Sequence, residues 1–182
     1  MHEVKTQIKA EPWMDVMSAI YGRRAIRRYT SEVPDHLTIE RLIDVAIQAP
    51  SAMNRQPWAF AVIEGSEILK SFSDRAKAYL PDAPEGNIFH DAPALVIICA
   101  ISAERQAAED CCLAAQNFML AAYAAGLATC PIGFSRFWLE QPATKKEIGI
   151  AEDHMPIFPI ALGFPDEQPQ SHGRRAAEIV WY

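Results

Sequence analysis

The sequence divides at Ala49-Pro50-Ser51-Ala52-Met53-Asn54-Arg55-Gln56-Pro57-Trp58, a polar stretch between two apolar segments of different period. Upstream, residues 42–47 carry apolar side chains at helical spacing, and downstream the continuous apolar run at 58–63 predicts a buried strand. The two prolines disfavour helix, while a Ser, an Asn and a Gln add a hydroxyl and two amides. The stretch is therefore either an ordinary helix-to-strand connection or a rigid polar surface that hydrogen-bonds a planar heteroaromatic ligand.

Arginines form two local clusters in a chain whose formal net charge is −6 at pH 7. That net charge argues against a general nucleic-acid binder, whereas a local cluster suits a discrete anion such as phosphate. Arginines just past a helix end also complement the helix dipole, which accounts for one or two of them without any ligand. The clustered positions are Arg23, Arg24, Arg27 and Arg28 near one end, and Arg174 and Arg175 near the other.

The two regions together resemble the nitroreductase family of flavin-dependent oxidoreductases. The motifs that carry the resemblance follow the family's order: Arg23-Arg24-Ala25-Ile26-Arg27-Arg28-Tyr29, the stretch at 49–58, Gln116-Asn117, Gly126-Leu127, Pro131-Ile132-Gly133, Ala161-Leu162-Gly163-Phe164-Pro165 and Arg174-Arg175. The resemblance implies one α+β domain over residues 1–182, with a central, mostly antiparallel sheet flanked by helices. It also implies an obligate homodimer in which the C-terminal arm is exchanged between the copies.

The function implied by the resemblance is hydride transfer from NADH or NADPH, through N5 of bound FMN, to a small organic acceptor. A nitroaromatic or a quinone would fit, in a ping-pong mechanism that needs no acid–base side chain. Alternatives are a specialised enzyme of the same fold, such as a reductive dehalogenase or an ene-type reductase, and a non-catalytic flavin-binding module.

The cofactor residues implied by the resemblance fall into three groups: Arg23, Arg24, Ala25 and Arg27; Pro50, Ser51, Ala52, Met53, Asn54 and Gln56; and Pro131, Ile132, Gly133, Arg174 and Arg175. The first group would bind the phosphate, with Arg27 near N1 of the ring. Ala25 stands where the family usually has a Ser, so the phosphate is left to backbone N–H groups and arginines. Asn54 and Gln56 would reach the polar edge of the ring, and residues 131–133 would lie against it.

Other chemistries lack their motifs. There is no G-x-G-x-x-G, P-loop or G-x-S-x-G, and the five histidines have no metal-ligand spacing. No apolar leader is visible at the start, and none of the four cysteines lies in a Cys-x-x-Cys pair. We therefore expect a cytoplasmic protein with buried, reduced thiols. The uncharged run 111–135 is Ala-rich with an internal Gly and Pro, which favours a core helix over a membrane span.

Helices are predicted over 13–21, from a Thr38 cap to 49, from a Ser66 cap to 79, over 103–125, and from Pro142 to near 149. Strands are predicted at 94–101 and 157–162, a turn or short strand at 129–134, and a loop or lid at 80–93.

The long helix carries a stripe of mostly small residues, which we expect to pack against a second copy: Ala107, Cys111, Ala114, Phe118, Ala121 and Ala125. The apolar residues 179–182 suggest docking onto a partner. Five aromatic residues are predicted as substrate-pocket walls or as core: Tyr79, Phe89, Phe134, Phe137 and Trp138.

Overall fold

The computed structural model describes residues 14–169 and 173–182. Trp13, predicted to open the first helix, lies outside the described residues. So do the N-terminal residues on which the leader prediction rests, and His2 and His172.

Within the described residues, four antiparallel strands form one sheet in the order β1-β2-β4-β3. The strands are β1 (Trp58–Glu64), β2 (Ala94–Ala100), β3 (Ala128–Pro131) and β4 (Met155–Gly163). Every residue of β2 is buried, as its apolar run predicts. The prediction of a buried strand at 58–63 is wrong in part, because β1 lies at a sheet edge and is only partly covered.

Helices cover both faces of the sheet and make the fold α+β. They are α1 (Val16–Gly22), α2 (His36–Ala46), α3 (Ser66–Lys77), α4 (Arg105–Ala124), α5 (Arg136–Leu139) and α6 (Pro142–Ile148). Alternate residues of β2 divide between two cores: Val96 and Ile98 face the core with α2 and α4, while Leu95 and Ile97 face the core with α3 and α5. The predicted mostly antiparallel sheet flanked by helices is confirmed.

Two predicted helix caps are wrong by one to three residues. Asp35 caps α2, since its carboxylate accepts the N–H of Thr38 at 2.7 Å, so Thr38 is the capped residue rather than the cap. Gly65 holds the cap position of α3 with φ 109°, a conformation open chiefly to glycine, and Ser66 is already helical. The regular part of α2 also ends at Ala46, because the chain tightens into turns before Pro50.

The small-residue stripe of α4 packs inside its own chain. Ala107, Cys111, Ala114, Phe118 and Ala121 are all buried in the core that also holds Ile39, Leu42 and Ala46 of α2. The prediction that this stripe meets a second copy is therefore wrong: small side chains let α2 approach closely. Ala125, the last residue of the stripe, lies past the end of α4 and is exposed.

The structure also bears on the predicted loop at 80–93 and on the predicted buried thiols. Residues 80–93 contain no helix or strand, and all four cysteines are free. Cys112 is exposed, against the prediction of four buried thiols, because it lies on the outer face of α4. None of the described helices has the length and apolar character needed to cross a membrane.

Candidate flavin site

Residues 50–56, here called the polar turn, form a tight turn of unusual backbone conformation. Met53, Asn54 and Gln56 have φ of 54°, 55° and 50°, in the left-handed region that non-glycine residues rarely occupy. The N–H of Gln56 donates to Oγ of Ser51 at 3.0 Å, and its amide Nε2 donates to Oδ1 of Asn54 at 3.1 Å. The polar side chains therefore support one another and hold the turn in one shape.

A residue that sequence reasoning missed ties this turn to α4. Asp110 is only 7% exposed, and its two carboxylate oxygens accept the N–H of Ala52 at 3.1 and 3.3 Å. A second, exposed contact joins Arg55 to Glu104 at 2.7 Å. The available signal was that Asp110 is the last charged residue before the uncharged run that begins at Cys111.

The first arginines lie along the edge of β3. The N–H of Ile26 donates to the carbonyl of Thr129 at 3.1 Å, next to a bridge between Ala25 and Thr129. Burial lowers the pKa of Arg23, and the neighbouring charges of Arg24 and Arg174 lower it further. Arg174 of the C-terminal segment therefore lies within electrostatic reach of Arg23. Arg175 is exposed.

Arg27 reaches the same place. Burial raises the pKa of the Cys130 thiol, while Arg27 and Arg23 act in the opposite direction. Both guanidinium groups are thus electrostatic neighbours of the residue that precedes Pro131. We call Arg23, Arg27 and Arg174 the arginine cluster.

Arg24 has a structural role beside this cluster. Its Nη1 donates to the carbonyls of Tyr21 and Arg23, at 2.7 and 2.8 Å, at the C-terminus of α1. This contact fits the helix-end interpretation of one of the arginines.

Three backbone N–H groups of the first arginine segment have partners within the chain. The N–H of Arg23 donates to Ala19 and that of Ile26 to Thr129, while the N–H of Arg27 donates to Oε1 of Glu167 at 2.5 Å. These three donors are therefore engaged within the chain. Glu167, which also lies 3.6 Å from Nε of Arg28, stands in the polar tail and carried no sequence signal.

The segment 131–133 leaves the end of β3 and presents an open surface. Ile132 is buried and donates its N–H to Pro159 at 2.9 Å, whereas Pro131 and Gly133 are exposed. A Cβ placed on Gly133 would meet no atom within 4 Å, so the space above it is open. The structure brings this segment and the arginine cluster together.

The predicted aromatic walls separate into core and surface. Phe89 and Trp138 are buried, and Trp138 packs on Phe72 with ring centroids 4.9 Å apart. Phe134, which follows Gly133 directly, and Phe137 are 55% and 62% exposed, and Tyr79 is exposed as well. Only the surface aromatics remain available to a ligand.

The polar turn lies far from the arginine cluster within one chain. Gly22, beside Arg23, lies so close to Tyr123 that a Cβ on it would stand 2.4 Å from the Tyr123 hydroxyl. The polar turn contacts Asp110, thirteen positions earlier on α4, which corresponds to about 20 Å along the helix axis. Moreover, β1, which the turn precedes, and β3, beside the arginines, are opposite edges of the sheet. The predicted site residues therefore form two separate groups.

Comparison with known proteins gives consistent matches. Residues 20–164 match the family described as the nitroreductase family. A protein of Methanothermobacter thermautotrophicus with the provisional name NADH dehydrogenase/NAD(P)H nitroreductase is 34% identical over 162 residues, covering 86% of this chain and 80% of the relative. A relative of the same name from Archaeoglobus fulgidus is 28% identical over 85% of this chain and 87% of its own length.

Solved structures share the fold. The nitroreductase with bound FMN from Bacteroides fragilis superimposes with a TM-score of 0.83 at 24% identity, over 93% of this chain and 99% of the other. With most of the chain matched in sequence and a curated relative above 30% identity, the chain belongs to the nitroreductase family.

Proposed function

We propose that the protein is an FMN-dependent oxidoreductase that uses NADH or NADPH to reduce a small organic acceptor. The observation that carries the proposal is the arginine cluster, held beside the open segment 131–133. Arg23 is half-buried, and its pKa is lowered by burial and by neighbouring cations, so a bound anion would relieve an unfavourable arrangement. A phosphate monoester fits this need, since a guanidinium group binds it through two hydrogen bonds.

The residues present fit FMN at both of its ends. Arg23 and Arg174 would hold the phosphate, Arg27 would lie near N1 of the ring, and the exposed surface of Pro131 and Gly133 would support the ring. FMN, when bound, supplies the chemistry of accepting a hydride from the nicotinamide and delivering it to an acceptor. The protein contributes binding, orientation and the charge of Arg27 near the ring.

The polar turn would complete the site from a second copy of the chain. The arginine cluster lies about 20 Å from the polar turn of the same chain, measured along α4. Two copies related by a twofold axis can each bring the polar turn to the other's arginine cluster. Asn54 and Gln56 would then meet the polar edge of the ring.

Exposed apolar surface supports this homodimer. Helix α1 buries Ala19 but exposes Val16, Met17, Ile20 and Tyr21. Residues 173–182 are all exposed, including Ile179, Val180, Trp181 and Tyr182. Apolar patches of this kind mark interaction surfaces, and we infer that the C-terminal arm is exchanged between the copies.

The acceptor would be a planar conjugated compound such as a nitroaromatic or a quinone. Phe134 and Phe137 expose their rings within four residues of the segment 131–133, where a planar acceptor can stack. Nicotinamide and acceptor both have to reach the same atom of the ring, so they would bind in turn and give ping-pong kinetics. We place the protein in the cytoplasm, where its four free cysteines stay reduced.

The test is to purify the protein, measure bound FMN, and add NADH or NADPH without oxygen. The proposal expects about one FMN per chain and loss of its visible absorbance on addition of one of the two nucleotides. Protein that binds no FMN, or whose FMN neither nucleotide bleaches, overturns it. Initial rates at several acceptor concentrations should then give parallel double-reciprocal lines. Intersecting lines would refute the proposal that nicotinamide and acceptor bind in turn at the same position.

A further inference from the structure

The polar turn holds a conformation that its own sequence does not favour. Three of its residues, Met53, Asn54 and Gln56, are left-handed without being glycine. Such residues cost energy and persist only where their surroundings hold them. The bonds from Gln56 to Ser51 and Asn54 lie within the turn, so they shape it without fixing its place on the fold.

Two polar contacts tie the turn to the N-terminal part of α4, and they differ in burial. The side chains of Arg55 and Glu104 are 53% and 58% exposed, and ion pairs this exposed contribute little. Asp110 is 7% exposed and is surrounded on α4 by the packed residues Ala107, Cys111 and Ala114. A hydrogen bond to a carboxylate in such a place is strong, and its position is set by the core.

Apolar packing does not replace this contact. A cleft of about 210 Å³ remains between the turn and α4, lined in part by Ala52, Pro57, Ala107 and Asp110. Ala52 and Asp110 both line this cleft, so the hydrogen bond between them helps to set the distance between Ala52 and the helix.

We propose that Asp110 is a positioning residue, which holds the N–H of Ala52 and thereby fixes the turn that presents Asn54 and Gln56 to the flavin ring. The proposal rests on the proposed function. Asp110 is buried and has no predicted contact with the cofactor. Its effect would be on the part of the site that meets the flavin ring, and not on the part that binds the phosphate.

The experiment compares Asp110→Ala and Asp110→Asn with Glu104→Gln, a control that removes the charge from the exposed ion pair of the same turn. FMN and riboflavin affinities are measured by fluorescence titration of the apo-dimer. The two-electron midpoint potential of bound FMN is measured by anaerobic titration, and fold and assembly by melting temperature and light scattering. Amide hydrogen exchange at Ala52 in the wild-type protein reports the contact without any substitution.

In Asp110→Ala we expect the affinities for FMN and riboflavin to fall by the same factor, about tenfold, since a charge-assisted bond is lost and the phosphate contacts remain. The wild-type turn should bind the reduced ring more tightly than the oxidised ring. For each factor of ten in that affinity ratio that Asp110→Ala loses, the midpoint potential should fall by about 30 mV. Asp110→Asn keeps one acceptor oxygen and should recover affinity to within about threefold of the wild type. A residue that only stabilised the fold would change the melting temperature and leave the potential unaltered.

The proposal is overturned if both affinities and the potential in Asp110→Ala equal those of Glu104→Gln. Should Asp110→Ala not fold, Asp110→Asn and the exchange of Ala52 decide, since exchange as fast as that of an exposed amide also overturns it. Wild-type protein that binds neither FMN nor riboflavin overturns the proposed function together with this proposal. Wild-type binding that survives in Asp110→Ala overturns this proposal alone.

Discussion

Replacement of Arg23 by Ala should weaken FMN binding without weakening the apo-protein. Arg23 is half-buried next to Arg24 and Arg174, and burial and both neighbouring charges lower its pKa. Its removal eliminates one charge-assisted phosphate interaction, worth about 1.5–3 kcal/mol, or roughly ten- to hundredfold in affinity. It also relieves repulsion among the arginines, so the melting temperature of the apo-protein should stay the same or rise.

Fluorescence titration with FMN and with riboflavin tests this reasoning, because riboflavin lacks the phosphate. Arg23→Ala should lose affinity for FMN and keep its affinity for riboflavin. Arg105→Ala is the control, since it removes an exposed arginine that pairs with Glu109 on α4. Equal FMN affinity in Arg23→Ala and wild type would remove Arg23 from the phosphate site, and an equal loss for both ligands would show that the effect does not act through the phosphate.

Three further predictions concern the interface, the acceptor and a helix cap. Ile20→Glu charges the exposed apolar face of α1 and should shift the dimer towards monomer in light scattering, and an unchanged dimer would place the interface elsewhere. Phe134→Ala should raise KM for an aromatic acceptor several-fold at unchanged FMN affinity, and an unchanged KM would exclude stacking on this ring. The backbone N–H of Thr38 lowers the pKa of Asp35 below 3.8, so the cap stabilises the fold fully above pH 3.8 and less as the pH falls through the lower folded pKa. Asp35→Ala should therefore reduce the melting temperature at pH 7 and have little effect below the folded pKa, whereas an equal reduction at both pH values would count against the cap's charge.

Element positions followed from the sequence where burial dominates. The apolar run of β2 and the uncharged run of α4 show their burial directly in composition, and both lie where they were predicted. The helix caps were harder to predict, because Asp35 and Thr38 are both good capping residues and only the backbone conformation decides between them. Periodicity likewise indicated that the stripe of α4 packs against another element, but it could not identify that element. In the structure it is α2 of the same chain.

The site residues were suggested by motif resemblance, but their grouping required the fold. Nothing in the spacing of Arg23 and Asn54 places them at opposite ends of α4. Asp110 and Glu167 act on the backbone of other segments, at Ala52 and Arg27, and such contacts leave no periodic or compositional signal. Glu167 also occupies the N–H of Arg27, a contact that could not be predicted from the sequence.

The composite nature of the site is the central claim, and mixed dimers test it most directly. One variant carries Arg23→Ala with Arg174→Ala, and the other carries Asn54→Ala with Gln56→Ala. Each homodimer lacks one group in both of its sites. Suppose that each site takes its arginine cluster from one copy and its polar turn from the other. A mixed dimer of the two variants then contains one site in which both are altered and one site in which both are intact.

The measurement is FMN titration of mixed dimers, purified by two different affinity tags. The account predicts one FMN bound per mixed dimer with wild-type affinity, while both variant homodimers bind weakly. If the arginine cluster and the polar turn of one chain served the same flavin, every site in the mixed dimer would lack one group. Weak binding by the mixed dimer, equal to that of the homodimers, would contradict the account.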